Sequence, residues 1–550
     1  MITLDRISDK NIEVVEKILK HNNFDKQVEE WRELRIVDDD FDKNKSTENI
    51  LTNKDLNKKY QYLPIDTKYF KDLELDILGL FDDLDNALDG WLIKSENYQA
   101  LNTILPKFKE KVQTIYIDPP FNKGQDADYF YSVKYKDASW ITLLENRLQL
   151  AKNLINPNGS IFVRCDYNGN MYVRLLMNEI FGVENFRNEM IIKRGYVPKG
   201  LTKQYITGTE SLFLFAKDIN KFKFIGAKRK IREEERMWIS LDMPGQRKTH
   251  ELQVRFFFGK PWLPPKGQHW GLSQEKIDEY TKLNWIRINP NRIYIDTQEN
   301  EVKGMPEYLK EPELLLDTNW TDIKSYETHN TSFPTENSEI LIKRVLESTS
   351  NKGELVMDFF LGSGTTTAIA HKLSRKWIGV EMGNLIAKKP EDDFFYTIVL
   401  ARMKKILAGD KSGISKEVNW KGSGFFKYYE LEQYEDTLRK VKYEDSNLFE
   451  NPYEEPYGQY IFMKDLKLLE ALEIDYNKNK VKVDLSRLYD DIDIPETLSN
   501  LLGKGIKRIT PDLVEFEDGT KVNIKDLDYI EFPNGEKEDL YKLIKPLIWW

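Results

Sequence analysis

Four residues, Asp118-Pro119-Pro120-Phe121, follow the apolar run "VQTIYI", whose composition fits a strand buried on both faces. The two prolines remove two backbone donors and hold the turn extended, which leaves the Pro119 carbonyl as an acceptor. Asp118 and that carbonyl make an acceptor-only pocket suited to an NH₂ group. An amine conjugated to an aromatic ring is a poor nucleophile because its lone pair is delocalised. Two acceptors on its hydrogens favour a pyramidal nitrogen that can attack an electrophile. Phe121 offers a face on which a flat heterocycle can stack, worth about 1–3 kcal/mol.

A second stretch, "ELVMDFFLGSGTTTAIAHKL", reads as strand, glycine loop and helix. The strand ends at Phe359-Phe360, Gly362 and Gly364 let the backbone approach a ligand, and the helix opens at the threonines with its amides exposed. The loop lacks the Gly-Lys-Ser/Thr ending of a nucleoside-triphosphate loop and the third glycine of a dinucleotide loop. The next strand, "WIGVE", ends on Glu381, an acid placed to accept both hydroxyls of a ribose. The combination fits an adenosine-containing ligand without a phosphate chain. Taken singly, the loop is an ordinary tight turn and Asp-Pro-Pro a polar strand end. Both fall at the carboxyl ends of strands in one expected sheet, which is where open α/β sheets bind ligands.

The elements that position these residues alternate strand and helix, so a parallel α/β sheet is expected. It is built from two separated pieces of chain, 90–192 and 319–428. Between them, 193–318 reads as an inserted domain of mixed structure. From Arg187 to Lys260 there are 17 Lys/Arg against 8 Asp/Glu, although the whole chain carries −9. Within this basic stretch Lys228, Arg229, Lys230, Arg232, Arg247 and Lys248 are the candidates for phosphate contact. The aromatics from Phe256 to Trp270 fit either a small core or a stacking surface. Residues 1–89 read as acidic and mostly helical, with Asp38 to Lys59 a polar connector, and 429–550 as an acidic α+β domain. In the latter, a helix opens at Pro495 and stops at Gly503, and a hairpin turns at Asp518-Gly519.

The 550 residues suffice for a large enzyme of several domains. No apolar run approaches the roughly 20 residues of a membrane span, and the N-terminus lacks a signal-peptide core, so a cytoplasmic location without membrane contact is expected. Cys165 is the single cysteine, and the five histidines have no metal-ligand spacing, so no metal is expected.

These motifs resemble those of the amino-methylating DNA methyltransferases. Asp118 to Phe121 is similar to that family's catalytic tetrapeptide, and "FFLGSGTT" to its S-adenosyl-L-methionine loop. The order, catalytic motif before cofactor loop with a variable region between, resembles the β class. "SENYQALNTILPKFKEKVQTIYIDPPFN", "WLPPKGQHWGLSQEKID", "FPTENSEILIKRV" and the ending "YKLIKPLIWW" resemble the modification (Mod) subunit of Type III restriction systems.

The resemblance implies a seven-stranded Rossmann-like methyltransferase sheet with an inserted target recognition domain. It also implies S-adenosyl-L-methionine as cofactor, double-stranded DNA as partner, and methylation of a flipped adenine at N6, the Asp form of the motif pointing to adenine. Asp118, Pro119, Pro120 and Phe121 would hold the base. Phe360, Gly362, Ser363, Gly364 and Thr365 would line the cofactor, Glu381 would take its ribose, and Glu96 and Asn97 would lie near its adenine end. A restriction helicase-nuclease subunit and self-association as a homodimer are implied as further partners, docking through the terminal regions. Cytosine N4 methylation and a DNA-binding specificity subunit without turnover are the alternatives. The chain departs from the family at Asn122-Lys123-Gly124, commonly Asn-Thr-Gly, and at Asn337-Ser338, usually Lys-Pro.

Overall fold

The computed structural model describes residues 1–38, 41, 46–52, 55–120, 137–194, 205–226, 228–230, 236–245, 253–311, 313–324, 336–384, 389–431, 472–475, 480–483, 493–524 and 529–539. Among these, one large sheet collects strands from both halves of the chain. In chain order its elements are β1 (Gly90–Lys94), α1 (Asn97–Phe108), β2 (Val112–Ile117), α2 (Asp137–Leu154), β3 (Ile155–Cys165), α3 (Asn170–Phe181), β4 (Phe186–Lys193) and β5 (Thr209–Ala216). After the insert come β6 (Asn319–Lys324), α4 (Glu339–Thr349), β7 (Leu355–Asp358), α5 (Thr365–Lys372), β8 (Lys376–Glu381) and β9 (Phe426–Glu430).

The strand order is β6-β4-β5-β3-β2-β7-β8-β1-β9. Every neighbouring pair is parallel except the two that involve β5. Nine strands stand where the resemblance implies seven, and the edge strands β6 and β9 account for the excess. All six residues of β2 are buried, as a strand covered on both faces requires. Its side chains alternate between two cores. Ile115 and Ile117 join the cluster that holds Leu144 and Leu148 of α2, whereas Tyr116 joins the one that holds Leu341 and Leu346 of α4. Within β3, Asn156-Pro157-Asn158-Gly159 forms a bulge, the register against β2 slipping between Ile155 and Ser160.

The chain divides into two compact units, 226–316 on one side and the remainder on the other. The insert therefore begins at 226 and not at 193. "TESLFLFA", placed in the insert by its basic surroundings, is a near-continuous apolar run, and burial makes it β5, wedged between β3 and β4. By itself, 226–316 has a three-stranded sheet around a small core that includes Leu241, Phe257, Trp270 and Ile277.

Within the larger unit, the terminal regions pack on the sheet-bearing core through buried ion pairs. Lys107 of α1 reaches Asp85 and Glu496, both at 2.9 Å, and Lys404 reaches Glu30 at 2.6 Å and Asp66 at 2.9 Å. Pro495 does sit in the first turn of the helix Ile494–Leu502, and Gly503 stops it with a φ of 67°. The expected hairpin pairs Leu513–Phe516 with Lys521–Asn523 inside a five-stranded antiparallel sheet. Within the expected polar connector, Ser46–Ile50 is a short helix anchored by the buried Ile50. No described helix is long and apolar enough to cross a membrane.

Candidate active site

β2, β7, β8 and β1 are parallel neighbours, so their carboxyl ends share one edge of the sheet. Asp118 follows β2 directly, the glycine loop follows β7, Glu381 closes β8, and Glu96 lies just beyond β1. From β2 the chain proceeds to β3, and from β7 to β8 on the other side. The gap between β2 and β7 is thus the switch point at which open α/β sheets form their ligand crevice.

The turn after β2 is pinned by the buried Trp140 of α2, whose indole N–H donates to the Pro120 carbonyl at 2.7 Å. The Asp118 Oδ2 accepts from the Arg164 Nη1 at 3.0 Å. Its Oδ1 is buried and has no hydrogen-bond partner among the described residues. Arg164, on β3, is fully buried; its Nε donates to Glu210 Oε2 at 3.0 Å and its Nη2 to the same oxygen at 2.5 Å. The Asn337 Oδ1 accepts from Arg164 Nη1 and, at 3.2 Å, from the Tyr116 hydroxyl. Burial pushes the Asp118 carboxyl up to about 6; Arg164 opposes that rise and Glu210 adds to it.

The loop after β7 is built around two acids. Asp358 accepts from the Phe360 N–H at 2.9 Å and from the Thr366 hydroxyl at 2.6 Å, tying the strand end to the first turn of α5. Gly362 and Gly364 have φ values of 57° and 83°, the left-handed region that favours glycine, and Gly364 caps α5. Glu381 Oε2 accepts from the Gly362 N–H at 2.7 Å, and its Oε1 from the Met382 N–H at 2.9 Å. Burial pushes the Asp358 and Glu381 carboxyls each up to about 7, despite these hydrogen bonds.

Of the residues expected to line a cofactor, Phe360, Gly362, Gly364 and Glu381 meet at this loop. Ser363 and Thr365 are present but turned inward: their hydroxyls lie 3.1 Å apart, and Thr365 accepts from Arg402 at 3.0 Å. Any contact these two make with a ligand goes through the backbone. Glu96 caps α1 by accepting from the Gln99 N–H at 3.0 Å and is paired with Arg147. Asn97 donates to the Phe359 carbonyl at 3.0 Å and accepts from Arg147 at 2.6 Å, joining the end of β1 to that of β7. Phe121, Arg232, Arg247 and Lys248 lie outside the described residues. Lys228, Arg229 and Lys230 form a strand paired with Glu313–Leu315 in the insert, and the Lys228 ammonium is exposed, 3.9 Å from Glu313.

Sequence reasoning missed Arg164, Glu210, Asn337 and Asp358. A signal was present for three of them. A charge inside "SIFVRCD" or "ESLFLFA", or at the end of "ELVMD", must be paired or desolvated if those strands are buried.

An acid-Pro-Pro turn on one central strand stands beside a glycine loop on the next, and the chain belongs to the DNA methylase family, whose N6_N4_Mtase profile matches residues 112–389. Among curated relatives it is 27% identical over 485 residues to the "Probable type III restriction-modification enzyme HindVI Mod subunit" of Haemophilus influenzae, covering 73% of this chain and 64% of that protein. It is 28% identical over 365 residues to the Type II methyltransferase M.EcaI of Enterobacter cloacae, covering 62% of this chain and 75% of that one. The chain thus spans 64% of the length of the Mod relative. Among solved structures, the M1.HpyAVI–SAM complex matches 57% of this chain and 98% of that one, at 16% identity and a TM-score of 0.31.

Proposed function

We propose that this chain is a DNA adenine N6-methyltransferase that uses S-adenosyl-L-methionine and serves as the modification subunit of a Type III-like restriction-modification system. The observation that carries the reading is the Asp118 carboxylate, one oxygen held by Arg164 and the other buried without a partner, at the crevice beside the glycine loop. A buried acceptor left without a donor is costly, and an exocyclic N–H satisfies it.

The residues present fit the cofactor. Glu381 is fixed by backbone amides, yet its oxygens retain lone pairs for a ribose diol. The buried Asp358 carboxyl is pushed up further by the Asp118 and Glu381 carboxyls on either side of the crevice, a repulsion that a cationic ligand offsets. When bound, the cofactor supplies a methyl group on a positively charged sulfur. Asp118 and the Pro119 carbonyl accept the two N6 hydrogens and turn the nitrogen lone pair toward that methyl. The transfer would leave the C–S bond electrons on sulfur, and Asp118 would pass the proton lost from N6 to solvent. Extracting the adenine from the duplex costs a few kcal/mol, which stacking on Phe121 offsets in part.

The insert 226–316 serves as the target recognition domain, with Lys228, Arg229, Lys230, Arg232, Arg247 and Lys248 on phosphates. The likeness to a restriction-modification Mod subunit supports a restriction subunit as partner, and we take that subunit as a helicase-nuclease and a homodimer as the working form. Nucleoside mass spectrometry on DNA from a methylation-deficient host expressing the chain tests the reading. N6-methyladenine is expected, and none with Asp118→Ala. N4-methylcytosine would overturn the choice of base, and soluble, folded protein that leaves no modified base would overturn the enzyme reading.

A further inference from the structure

We propose that Arg164 is a positioning residue for methyl transfer: gripped by Glu210, it fixes one oxygen of Asp118 and keeps that carboxylate an acceptor, with the other oxygen turned over to the amine. The inference rests on the role given to Asp118 under Proposed function. It begins from the shape of the guanidinium. Nε and Nη2 both donate to Glu210 Oε2, so that edge of the fork is fixed on β5, and Nη1 is left to meet Asp118 and Asn337. Both the Arg164 and the Glu210 side chains are 0% exposed. A planar, always-charged fork can hold two carboxylates at set angles in this way, whereas an ammonium acts as a single point charge.

The charge balance around Asp118 gives Arg164 its importance. Tyr116 faces Asp118 from β2, Cys165 and Asp166 from the end of β3, Glu210 from β5 and Asp358 from the end of β7, and Asn337, in the segment before α4, shares the Arg164 Nη1 with it. Arg194 lies 3.8 Å from Glu210. Among the described residues, Arg164 is the cation bonded to Asp118 itself, and it shares its charge with Glu210. A buried carboxyl surrounded by other acids is neutral at ordinary pH unless a cation opposes them, and a neutral carboxyl presents a proton that an amine N–H cannot use. Arg164 and Glu210 therefore push the Asp118 ionisation in opposite directions: removing the arginine raises it, and neutralising the glutamate frees more of the arginine's charge and lowers it. A purely structural role for the pair predicts no such opposition.

The test is the pH dependence of the single-turnover methylation rate in the full chain for wild type, Arg164→Gln and Glu210→Gln, with cofactor affinity measured alongside by calorimetry. For Arg164→Gln the rate at neutral pH is expected to fall at least tenfold while cofactor affinity holds. Its acid limb should move up by about 1–3 pH units, so that much of the rate returns at alkaline pH. For Glu210→Gln the acid limb is expected to move down. Arg164→Lys should leave the limb near its wild-type position but not restore the rate, because the charge is kept and the fork is lost. Limbs that stay in place, or that move the same way in the Gln variants, would overturn the inference. If Arg164→Gln fails to fold with Glu210 left unpaired, Glu210→Gln decides alone, an unmoved limb counting against. Wild-type protein that forms no N6-methyladenine would overturn the adenine reading and this inference with it; an active wild type with unmoved limbs would overturn this inference only.

Discussion

The crevice at the end of the β2–β7 sheet and the insert 226–316 handle polar groups in opposite ways. In the crevice the charges are buried and bonded to partners far away in sequence: Asp118 to Arg164, Arg164 to Glu210, Glu381 to the Gly362 amide. In the insert most of the described ion pairs lie at the surface, as between Lys266 and Glu299, with Arg287–Glu307 the most covered, and large apolar side chains are exposed, Phe256 by 52% and Phe258 by 57%. Buried charges fix geometry to fractions of an ångström because misplacing one strands an unpaired charge. Surface ion pairs contribute little and rearrange freely. A reacting centre needs the first arrangement, and a surface that must fit a long, hydrated polyanion tolerates the second. Substitutions in the two regions should therefore differ in kind as well as in size.

The largest effect is expected from Asp118→Ala, which should lower the single-turnover methylation rate by about 10²- to 10⁴-fold. Cofactor affinity, measured by calorimetry, should hold, because the carboxylate serves the base and not the ribose. Loss of cofactor binding would break the division of labour inside the crevice. Glu381→Ala should do the reverse and weaken cofactor binding by about ten- to a hundredfold, the worth of hydrogen bonds to a charged group. Equal affinity in that variant would remove the ribose role. For the unaltered protein, the Asp118 carboxyl is raised to about 6, so its neutral form persists up to that pH and the acceptor form prevails above it. The rate should then rise about tenfold per pH unit up to about 6 and level off beyond.

How much of this was legible in the sequence follows the same division. The acid-Pro-Pro turn and the glycine loop were legible because each is a local answer to a local demand, a donorless turn or a left-handed backbone, and such demands select particular residues over a few positions. The parallel sheet was legible for the same reason, in the apolar run of β2 and the strand–helix alternation. Arg164 and Glu210 were not, although each sits as a lone charge in an apolar strand, because nothing local says that β5 will lie beside β3. Asn337 stood out as a departure from the family, but its bonds to Arg164 and Tyr116 bring together segments well over a hundred residues apart. The start of the insert was misplaced because charge was averaged over a window that contained β5. In the insert, the aromatics from Phe256 to Trp270 were undecided between core and surface. Packing splits them, with Phe257 and Trp270 inside and Phe256 outside.

Two smaller effects would sharpen the description of the insert. Lys228→Ala removes an exposed ammonium that lies 3.9 Å from Glu313. It should weaken DNA binding by a similar few-fold factor on every sequence and reduce the slope of log affinity against log salt by about one. A change confined to one target sequence would mean that Lys228 reads bases.

The smallest effect concerns Phe258. Arg255–Phe257 pairs with Lys260–Trp262 across a two-residue turn in which Phe258 and Gly259 have φ values of 50° and 76°. Turns of this shape favour Asn-Gly, and a bulky side chain in the left-handed region costs about 1 kcal/mol. The hairpin is nonetheless well held: the Gln274 side chain accepts from the Phe256 N–H at 2.7 Å and donates to its carbonyl at 2.9 Å, and Phe257 packs edge-on against Trp270. Phe258→Asn should therefore slow amide exchange across this hairpin several-fold, by relieving the turn without disturbing the core beneath it. In the crevice, an isolated exchange of this kind would strand a buried partner and destabilise the protein. If Phe258→Asn instead speeds exchange, the ring is packed in solution and the contrast between a paired crevice and an open insert is weaker than the exposures imply.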